Sequence, residues 1–429
     1  MNILLIHTHD TGRYVSAYGY PAPTPNLQRF AETGVTYRRA FSAAPTCSPS
    51  RVALMTGCHP HQSGMWGLAH RGSRMTDPGQ HLSHALHATG YHTALIGVQH
   101  EVAASEIESL GYEHVQTELG QNSFAIAEAA AKWLTRAPSD RPFFASVGFF
   151  DTHRPYLSEV SAGIDARWLR PPEPFPDTDP MRADMARFYT GLAEVDRGVG
   201  QILATLDARG LSDNTMVIIT TDHGIAWPGM KGRLTDHGTG VMLMVRAPGV
   251  DGGSVKDDLV CQTDIFPTIC ALLNLETPER CGAHLLPGLG LSTPSRTHVF
   301  AQTNIHASIE VGRSIRTDRY RYTERLHGGD HWHMANIDPS PPRDMLVQNG
   351  VATQPAAQSA FYDLAADPLE ANPIAPDHQP AEAAALKAQL DAWRTETADP
   401  LLDPAFTWPA GMALTDPTSE NPAQIVAST

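Results

Sequence analysis

Three short segments of this sequence carry the side chains best suited to chemistry on an anion. Cys47 begins the run Cys-Ser-Pro-Ser-Arg, which ends at Arg51. A buried cysteine is usually just a small apolar side chain, so Cys47 alone indicates little. Asp10 follows one apolar run, and the pair Asp222 and His223 follows another. Because open α/β sheets bind ligands at the carboxyl ends of their strands, we expect these two loops to converge.

The run over residues 47–57 resembles the signature of type I sulfatases, in which the cysteine is oxidised after translation to formylglycine. Further segments resemble the family in the same order along the chain; they are 2–5, 9–12, 24–27, 61–67, 221–224 and 361–370. Within the family, the chain is most similar to heparan N-sulfatase (sulfamidase)-like members. The resemblance implies that the hydrated aldehyde at Cys47 attacks the sulfur of a sulfate ester or a sulfamate.

Composition and periodicity predict a globular α/β protein. The chain has 429 residues, of which 41% are hydrophobic. Short apolar runs alternate with helical patterns, which predicts a mainly parallel sheet with helices on both faces. The predicted strands are residues 3–6, 93–97, 143–149, 216–220 and 242–245, and the predicted helices include 124–135 and 183–206.

We predict a second unit from about residue 290, so the predicted domains are residues 1–290 and 291–429. Residues 314–322 alternate like a strand, and Leu386, Leu390 and Trp393 share one face of a late helix. The proline-rich segment 339–342 is predicted to be a surface loop. The resemblance implies an alkaline-phosphatase-like fold, with a large sheet between helices and a smaller C-terminal α+β unit that holds an antiparallel sheet.

The net charge of the chain and its pattern of apolar residues argue against nucleic acid and a membrane as partners. Its net charge is −15, from 31 basic and 46 acidic residues, so nucleic acid is not an expected partner. An anionic substrate must instead be attracted by a local site. The sequence contains no run of eighteen apolar residues and no secretory signal pattern, so we expect no membrane span and a cytoplasmic location.

The resemblance implies one divalent metal, calcium in the family, held by Asp10, Asp222, His223 and the modified Cys47. The family usually has two adjacent carboxylates in the first loop, whereas this chain has His9 before Asp10. The usual Asp-Asn pair of the second loop is Asp-His here. Fewer carboxylates suit calcium less well, and imidazoles favour manganese, iron or zinc. His9 is open to three interpretations: a ligand, a hydrogen-bond partner of a ligand, or a filler.

The resemblance also assigns roles around the substrate. Arg51 would pair with the aldehyde oxygen or with the metal carboxylates. His100 matches a histidine that usually follows a catalytic lysine, but the lysine position is Val98 here. His153 follows the predicted strand 143–149 and could act as general acid toward the leaving group.

Other basic residues are candidates for contact with the substrate. Lys231 matches a second anion-binding residue of the family, with Arg233 as an alternative. His61, His306 and Arg313 are candidate substrate contacts. Five further histidines are predicted to lie on the surface; they are His59, His237, His327, His331 and His333.

The resemblance therefore predicts a sulfatase that acts on a sulfated small molecule or saccharide, after maturation by a formylglycine-generating enzyme. One alternative is a phosphonate monoester or phosphodiester hydrolase on the same scaffold, because tetrahedral sulfate and phosphate esters share a shape. Another alternative is a non-catalytic binding protein, because His9 and Val98 depart from the family pattern.

Overall fold

The computed structural model describes residues 1–429, except for the side chain of Ala352. The strands are β1 (Asn2–Thr8), β2 (Val35–Phe41), β3 (His92–Gly97), β4 (His114–Gln116), β5 (Phe143–Gly148), β6 (Thr215–Thr221), β7 (Gly240–Val241), β8 (Leu243–Arg246), β9 (Ser254–Cys261), β10 (His298–Ile305), β11 (Ile309–Thr317), β12 (Tyr320–His327), β13 (Ser359–Asp363), β14 (Ala413–Thr415) and β15 (Ile425–Ser428). The α-helices are α1 (Pro25–Thr33), α2 (Cys47–Thr56), α3 (Pro60–Ser63), α4 (Leu82–Ala88), α5 (Ser123–Arg136), α6 (Asp179–Ala208), α7 (Asp236–Thr239), α8 (Ile265–Leu272), α9 (Pro341–Gln348) and α10 (Ala381–Glu396).

The first nine strands form one large mixed sheet. Its order is β4-β3-β5-β1-β6-β8-β2-β7, and β9 also pairs with β2. The run from β4 to β6 is parallel, whereas β8 is antiparallel to both β6 and β2. Because β8 lies between them, β2 and β6 run in the same direction. Their carboxyl ends, and that of β1, therefore point to the same edge of the sheet.

The sheet is buried on both faces, as the apolar run in β1 predicts. Successive side chains of a strand point to opposite faces. Leu4 and Ile6 contribute to the core on the side that α5 and α6 cover. Ile3 and Leu5 contribute to the core on the other side, which α4 and α8 cover. The central strands are thus held from both faces, which fixes the loops at their ends.

A second, four-stranded antiparallel sheet follows from His298, in the order β10-β11-β12-β13. The buried residues Leu386, Leu390 and Trp393 of α10 pack against this sheet, as their spacing predicts. The prediction of one strand over 314–322 is wrong, because the chain turns at 318–319 and returns as β12. The alternating pattern continues on both sides of this turn, so it gave no sign of the break.

The proline-rich segment 339–342 is not simply a surface loop. Ser340 is buried, and its hydroxyl accepts a hydrogen bond from the Arg343 amide at the start of α9. Prolines at the first positions of a helix are well tolerated, because no hydrogen bond to their nitrogen is needed there. Among the described residues, no helix combines the length and the apolar character needed to cross a membrane.

Candidate active site

The candidate site lies at the carboxyl ends of β1 and β6. These parallel neighbours pair Thr8 with Thr221 at their last residues. The chain continues from each strand into a loop, and the two loops carry Asp10 and Asp222. The Asp10 amide donates a hydrogen bond of 2.8 Å to Asp222 Oδ1. The structure therefore brings the two loops together, as the order of the strands requires.

Cys47 is the first residue of α2 and faces this pair of loops. Its side chain is 3% exposed, and its Sγ lies 3.4 Å from His223 Nε2. Burial raises the pKa of the Cys47 thiol, although the Lys231 ammonium opposes this shift. The thiol is therefore protonated at neutral pH, and a protonated thiol is a poor nucleophile.

Arg51 lies one turn further along α2 and holds the two loops to the helix. Its Nη2 donates to the Thr8 carbonyl at 2.8 Å and to Asp222 Oδ2 at 3.0 Å. Its Nη1 lies 2.7 Å from His7 Nδ1. These contacts are buried, so they fix α2, and Cys47 with it, against the ends of β1 and β6.

The carboxylates of Asp10 and Asp222 are both fully buried from solvent. Asp10 adopts a φ of 45°, in the left-handed region that asparagine and aspartate tolerate better than most residues. Burial alone would raise the pKa of Asp222, but its interactions with the neighbouring His223 ring and with the Arg51 guanidinium hold it well below its ordinary range. Asp222 therefore carries its negative charge at neutral pH.

His9 lies directly beside these carboxylates. Its ring is 0% exposed, with Nδ1 at 3.2 Å from Asp222 Oδ2. Its Nε2 has no hydrogen-bond partner among the described residues. Burial and the Arg51 charge lower the pKa of His9 well below its ordinary value, so the imidazole is neutral. A neutral imidazole with a free nitrogen is a ready metal ligand.

The donor atoms present fit a divalent metal. One ligand atom each from His9, Asp10, Cys47 and Asp222 lies within 4.8 Å of the other three. Asp10 Oδ1 is buried and, among the described residues, has no hydrogen-bond partner. Buried polar atoms normally have partners, so unpaired atoms that converge on one point indicate a ligand site.

His223 is oriented by its own loop. Its Nδ1 lies 2.9 Å from the Gly224 carbonyl, which accepts the ring proton and leaves the lone pair on Nε2. Nε2 lies 3.4 Å from both Cys47 Sγ and Asp10 Oδ1. A carbonyl that fixes the far nitrogen is typical of metal-binding histidines. A Cβ at Gly224 would lie 1.8 Å from the His237 carbonyl oxygen, so this turn requires glycine.

Lys231 and His153 form the next layer of the site. The Lys231 ammonium donates to Asp10 Oδ2 at 2.8 Å and lies 3.2 Å from His153 Nε2. Burial would lower the pKa of Lys231, but Asp10 and Asp338 raise it well above its ordinary value. Burial and the Lys231 charge lower the pKa of His153. The structure thus places one cation and one neutral imidazole beside the carboxylates.

His100 lies beside His9 and Cys47, and His306 lies near Lys231. The His100 ring centroid lies 4.7 Å from that of His9, and its backbone amide donates to Glu101 at 2.8 Å. One ligand atom each from His9, Cys47 and His100 also lies within 4.8 Å of the other two. Burial, and then the Lys231 charge, lower the pKa of His306 to about 3. Val98, in place of the family's lysine, packs at the edge of the core.

Sequence analysis missed Asp338, which the structure places in the site. Its Oδ2 lies 3.0 Å from Lys231 Nζ. Asp338 comes from the segment just before α9, more than a hundred residues after Lys231. An aspartate before a proline is typical of a turn, so the sequence offered no separate signal for this contact.

Three candidate residues lie outside the cluster. Arg313 is fully buried, and its guanidinium is bound to Asp399 at 2.9 Å and to Asn304 at 2.9 Å. The structure therefore gives Arg313 a structural contact rather than the predicted contact with substrate. His61 is buried against Gln302 and Trp393. Arg233 pairs with Glu310 at 2.6 Å, so Lys231 rather than Arg233 reaches the site.

The surface prediction for the remaining histidines is wrong in part. His333 is buried, with Nδ1 at 2.8 Å from the Ser308 hydroxyl. His59 and His237 are half-buried, whereas His327 and His331 are exposed as predicted. Histidine suits both environments, so its type alone did not decide between them.

Comparison with known proteins finds matches over most of the chain. Residues 1–275 match the family model described as Sulfatase. The chain is 29% identical to N-sulphoglucosamine sulphohydrolase of Homo sapiens, over 93% of this chain and 91% of that protein. It is 23% identical to the multifunctional alkaline phosphatase superfamily protein PehA of Trinickia caryophylli, over 91% of this chain and 93% of that protein. A solved structure of another protein, BT4656, contains that protein's substrate, D-glucosamine-2-N,6-O-disulfate. It superimposes with a TM-score of 0.72, at 18% identity, over 93% of this chain and 98% of that chain.

The large sheet between helices, with a small antiparallel sheet after it, defines an alkaline-phosphatase-like fold, which confirms the predicted fold class. The family model covers well over half of the chain, so the chain belongs to the sulfatase family. It is accordingly a hydrolase of the class that cleaves sulfuric esters or sulfamates.

Proposed function

We propose that this protein hydrolyses a sulfamate or sulfate ester of a saccharide, with a formylglycine at position 47 and one divalent metal. The observation that carries the proposal is the convergence of buried ligand atoms of His9, Asp10 and Asp222 on Cys47. Among the described residues, His9 Nε2 and Asp10 Oδ1 have no hydrogen-bond partner. The thiol itself is held protonated, so oxidation of this side chain supplies the nucleophile that the thiol does not. Formylglycine, once hydrated, provides a hydroxyl group that can attack sulfur.

Asp10, Asp222 and His223 would hold the metal, with His9 beside them. When bound, the metal supplies positive charge to the oxygen atoms of the sulfuryl group. Two imidazoles and two carboxylates are a mixed donor set, which suits manganese, iron or zinc better than it suits calcium. Arg51 keeps the Asp222 carboxylate in place and adds a fixed positive charge behind it.

Lys231 and His153 have complementary roles toward the substrate. The Lys231 ammonium contacts Asp10 at 2.8 Å, and it provides a local attraction for an anion that a net charge of −15 does not. His153 is neutral before substrate binds, because burial and Lys231 lower its pKa. An anionic group beside it favours the imidazolium form. His153 would therefore take up a proton as substrate binds and donate it to the leaving nitrogen or oxygen.

A saccharide substrate is supported by two of the relatives. One is a human N-sulphoglucosamine sulphohydrolase, and another protein of the same fold binds a disulfated glucosamine. We therefore propose N-sulfoglucosamine as the first substrate to test. Sulfate release would be measured from N-sulfoglucosamine and from glucosamine 6-O-sulfate, using protein matured with a formylglycine-generating enzyme. Absence of turnover on both compounds would exclude this substrate class.

A phosphonate monoester or phosphodiester hydrolase is the second candidate. The observation in its favour is the Asp222-His223 pair, together with the similarity to PehA over nearly the whole chain. Relative values of kcat/KM on matched phenyl sulfate and phenyl phosphonate esters distinguish the two functions. A preference for the phosphonate would make sulfate hydrolysis the side reaction.

A further inference from the structure

We infer that, before Cys47 is oxidised, this site is a zinc-binding site in which the Cys47 thiolate is a ligand. The inference rests on the proposed metal site but concerns a different state of the protein. In that state the site has a thiolate ligand, which the matured enzyme no longer has. The ligands would be Cys47 Sγ, His223 Nε2 and an oxygen of Asp10, with Asp222 or His9 as the fourth.

The distances from His223 Nε2 to its neighbours are close to those between two ligands of a tetrahedral zinc. Zinc binds sulfur at about 2.3 Å and nitrogen or oxygen at about 2.0–2.1 Å, so neighbouring ligand atoms lie about 3.3–3.6 Å apart. His223 Nε2 lies 3.4 Å from Cys47 Sγ and 3.4 Å from Asp10 Oδ1. It lies 3.7 Å from Asp222 Oδ2. Three contacts of the cluster therefore already have nearly the spacing of zinc ligands.

The donor atoms are also available. His9 is 0% exposed, and its Nε2 has no hydrogen-bond partner in the described part of the chain. Asp10 Oδ1 is buried and equally unpaired within that part. The His223 ring is fixed by the Gly224 carbonyl, with its lone pair toward Cys47. A thiolate together with imidazole and carboxylate ligands is suited to zinc. A hard cation such as calcium prefers oxygen ligands and gains nothing from sulfur.

Binding exchanges one bond for another without a change of oxidation state. The S–H bond of Cys47 is replaced by a sulfur–zinc bond, and the proton passes to solvent. Oxidation to formylglycine removes this sulfur. Zinc and maturation therefore require the same atom, and zinc would protect unmodified Cys47 from other reagents.

Cobalt(II) is the probe for this site, because a thiolate bound to cobalt gives a sulfur-to-metal charge-transfer band. Unmodified full-length protein should show the band at one equivalent of cobalt, and zinc should remove it. Cys47→Ser should abolish the band. It should also weaken zinc binding by more than about tenfold, which is the smallest usual cost of losing a residue that is only hydrogen-bonded to a metal ligand. Cys281→Ser is the matched control, because Cys281 lies outside the cluster and its removal should leave the band unchanged.

A second measurement uses the wild-type protein alone. Zinc should slow alkylation of Cys47, as followed by mass spectrometry of the peptide that contains it, and fully matured protein should show no cobalt band. Cobalt bound without the band, a band that survives Cys47→Ser, or alkylation at the same rate with zinc would each overturn the inference. None of these results depends on sulfate release, so failure here is distinct from failure of the proposed function.

Discussion

The Lys231 ammonium lies 3.0 Å from the Asp338 carboxylate, which comes from the segment that leads into α9. The same ammonium lies 2.8 Å from Asp10, which follows the first strand of the chain. One buried cation thus joins the first loop of the large sheet to the C-terminal part of the chain. Asp338 keeps the charge of the buried Lys231 paired.

We predict that Asp338→Asn destabilises the protein at neutral pH by about 1.5–3 kcal/mol, the usual contribution of a hydrogen bond to a charged group. Burial would raise the pKa of Asp338, but Lys231 and nearby histidines lower it below its ordinary value. Because the pKa of Asp338 is lower in the folded protein than in the unfolded chain, where it is about 3.9, the carboxylate stabilises the folded protein above about pH 4. This stabilisation is lost as the pH falls from there through the folded-state pKa.

The difference in unfolding free energy between wild type and Asp338→Asn should therefore be full at pH 7 and shrink below about pH 4. Urea denaturation across this range measures it. Asp377→Asn, at an exposed carboxylate, is the control and should have no effect. A difference that does not change with pH would show that the carboxylate charge is not the cause.

Replacement of His153 by Asn should slow turnover in a way that depends on the leaving group. General acid catalysis contributes about 10²–10⁴-fold, and a poor leaving group needs it most. We expect a loss in this range for N-sulfoglucosamine and a much smaller loss for p-nitrophenyl sulfate, whose phenolate leaves unaided. Steady-state kinetics on both substrates measure the effect. Equal losses on both would assign His153 to binding rather than to proton transfer.

Asp10→Asn and Asp222→Asn should each lose the metal, because these are the buried carboxylates of the candidate site. Elemental analysis of the purified, folded variants tests this, with Asp377→Asn carried through the same purification. Asp222→Asn should also lower the melting temperature more than Asp10→Asn does, because it leaves the buried Arg51 without its carboxylate partner. Full metal content in both variants would place the metal elsewhere.

His9→Asp should shift the metal preference toward calcium. The change restores a second carboxylate to the first loop, and calcium prefers oxygen ligands. It also removes an imidazole that binds metal only when deprotonated, so the fall in metal affinity at acid pH should be weaker. The assay is activity of metal-free protein refilled with calcium, manganese or zinc across pH. Identical metal rankings and pH profiles in wild type and variant would make His9 a bystander.

The main features of the fold were predictable because the central strands are short apolar runs. Residues 3–6 and 216–220 lie inside β1 and β6, and the rule for strand ends then placed Asp10 beside Asp222. The strand β2, by contrast, contains Arg38 and Arg39 and escaped prediction. Its position beside β9 depends on contacts between residues far apart in the sequence, which periodicity does not report.

The candidate site was predictable where a motif was local, and not where a side chain arrived from a distance. The short segments around Cys47 and Asp222 each carry their own signal. Asp338 and Arg313 have no such local signal. Asp338 enters the site from a proline-rich turn, and Arg313 is buried in an ion pair with Asp399. Both outcomes are set by the partner that a charged group finds once the chain is folded.

The central claim is that formylglycine at position 47 is the nucleophile of a sulfatase. The most direct test measures sulfate release against the fraction of position 47 converted to formylglycine, as determined by mass spectrometry in batches matured to different extents. We predict that turnover rises in proportion to this fraction and is lost by several powers of ten in Cys47→Ala. Equal turnover in unmodified and fully converted protein, or retained turnover in Cys47→Ala, would contradict the claim.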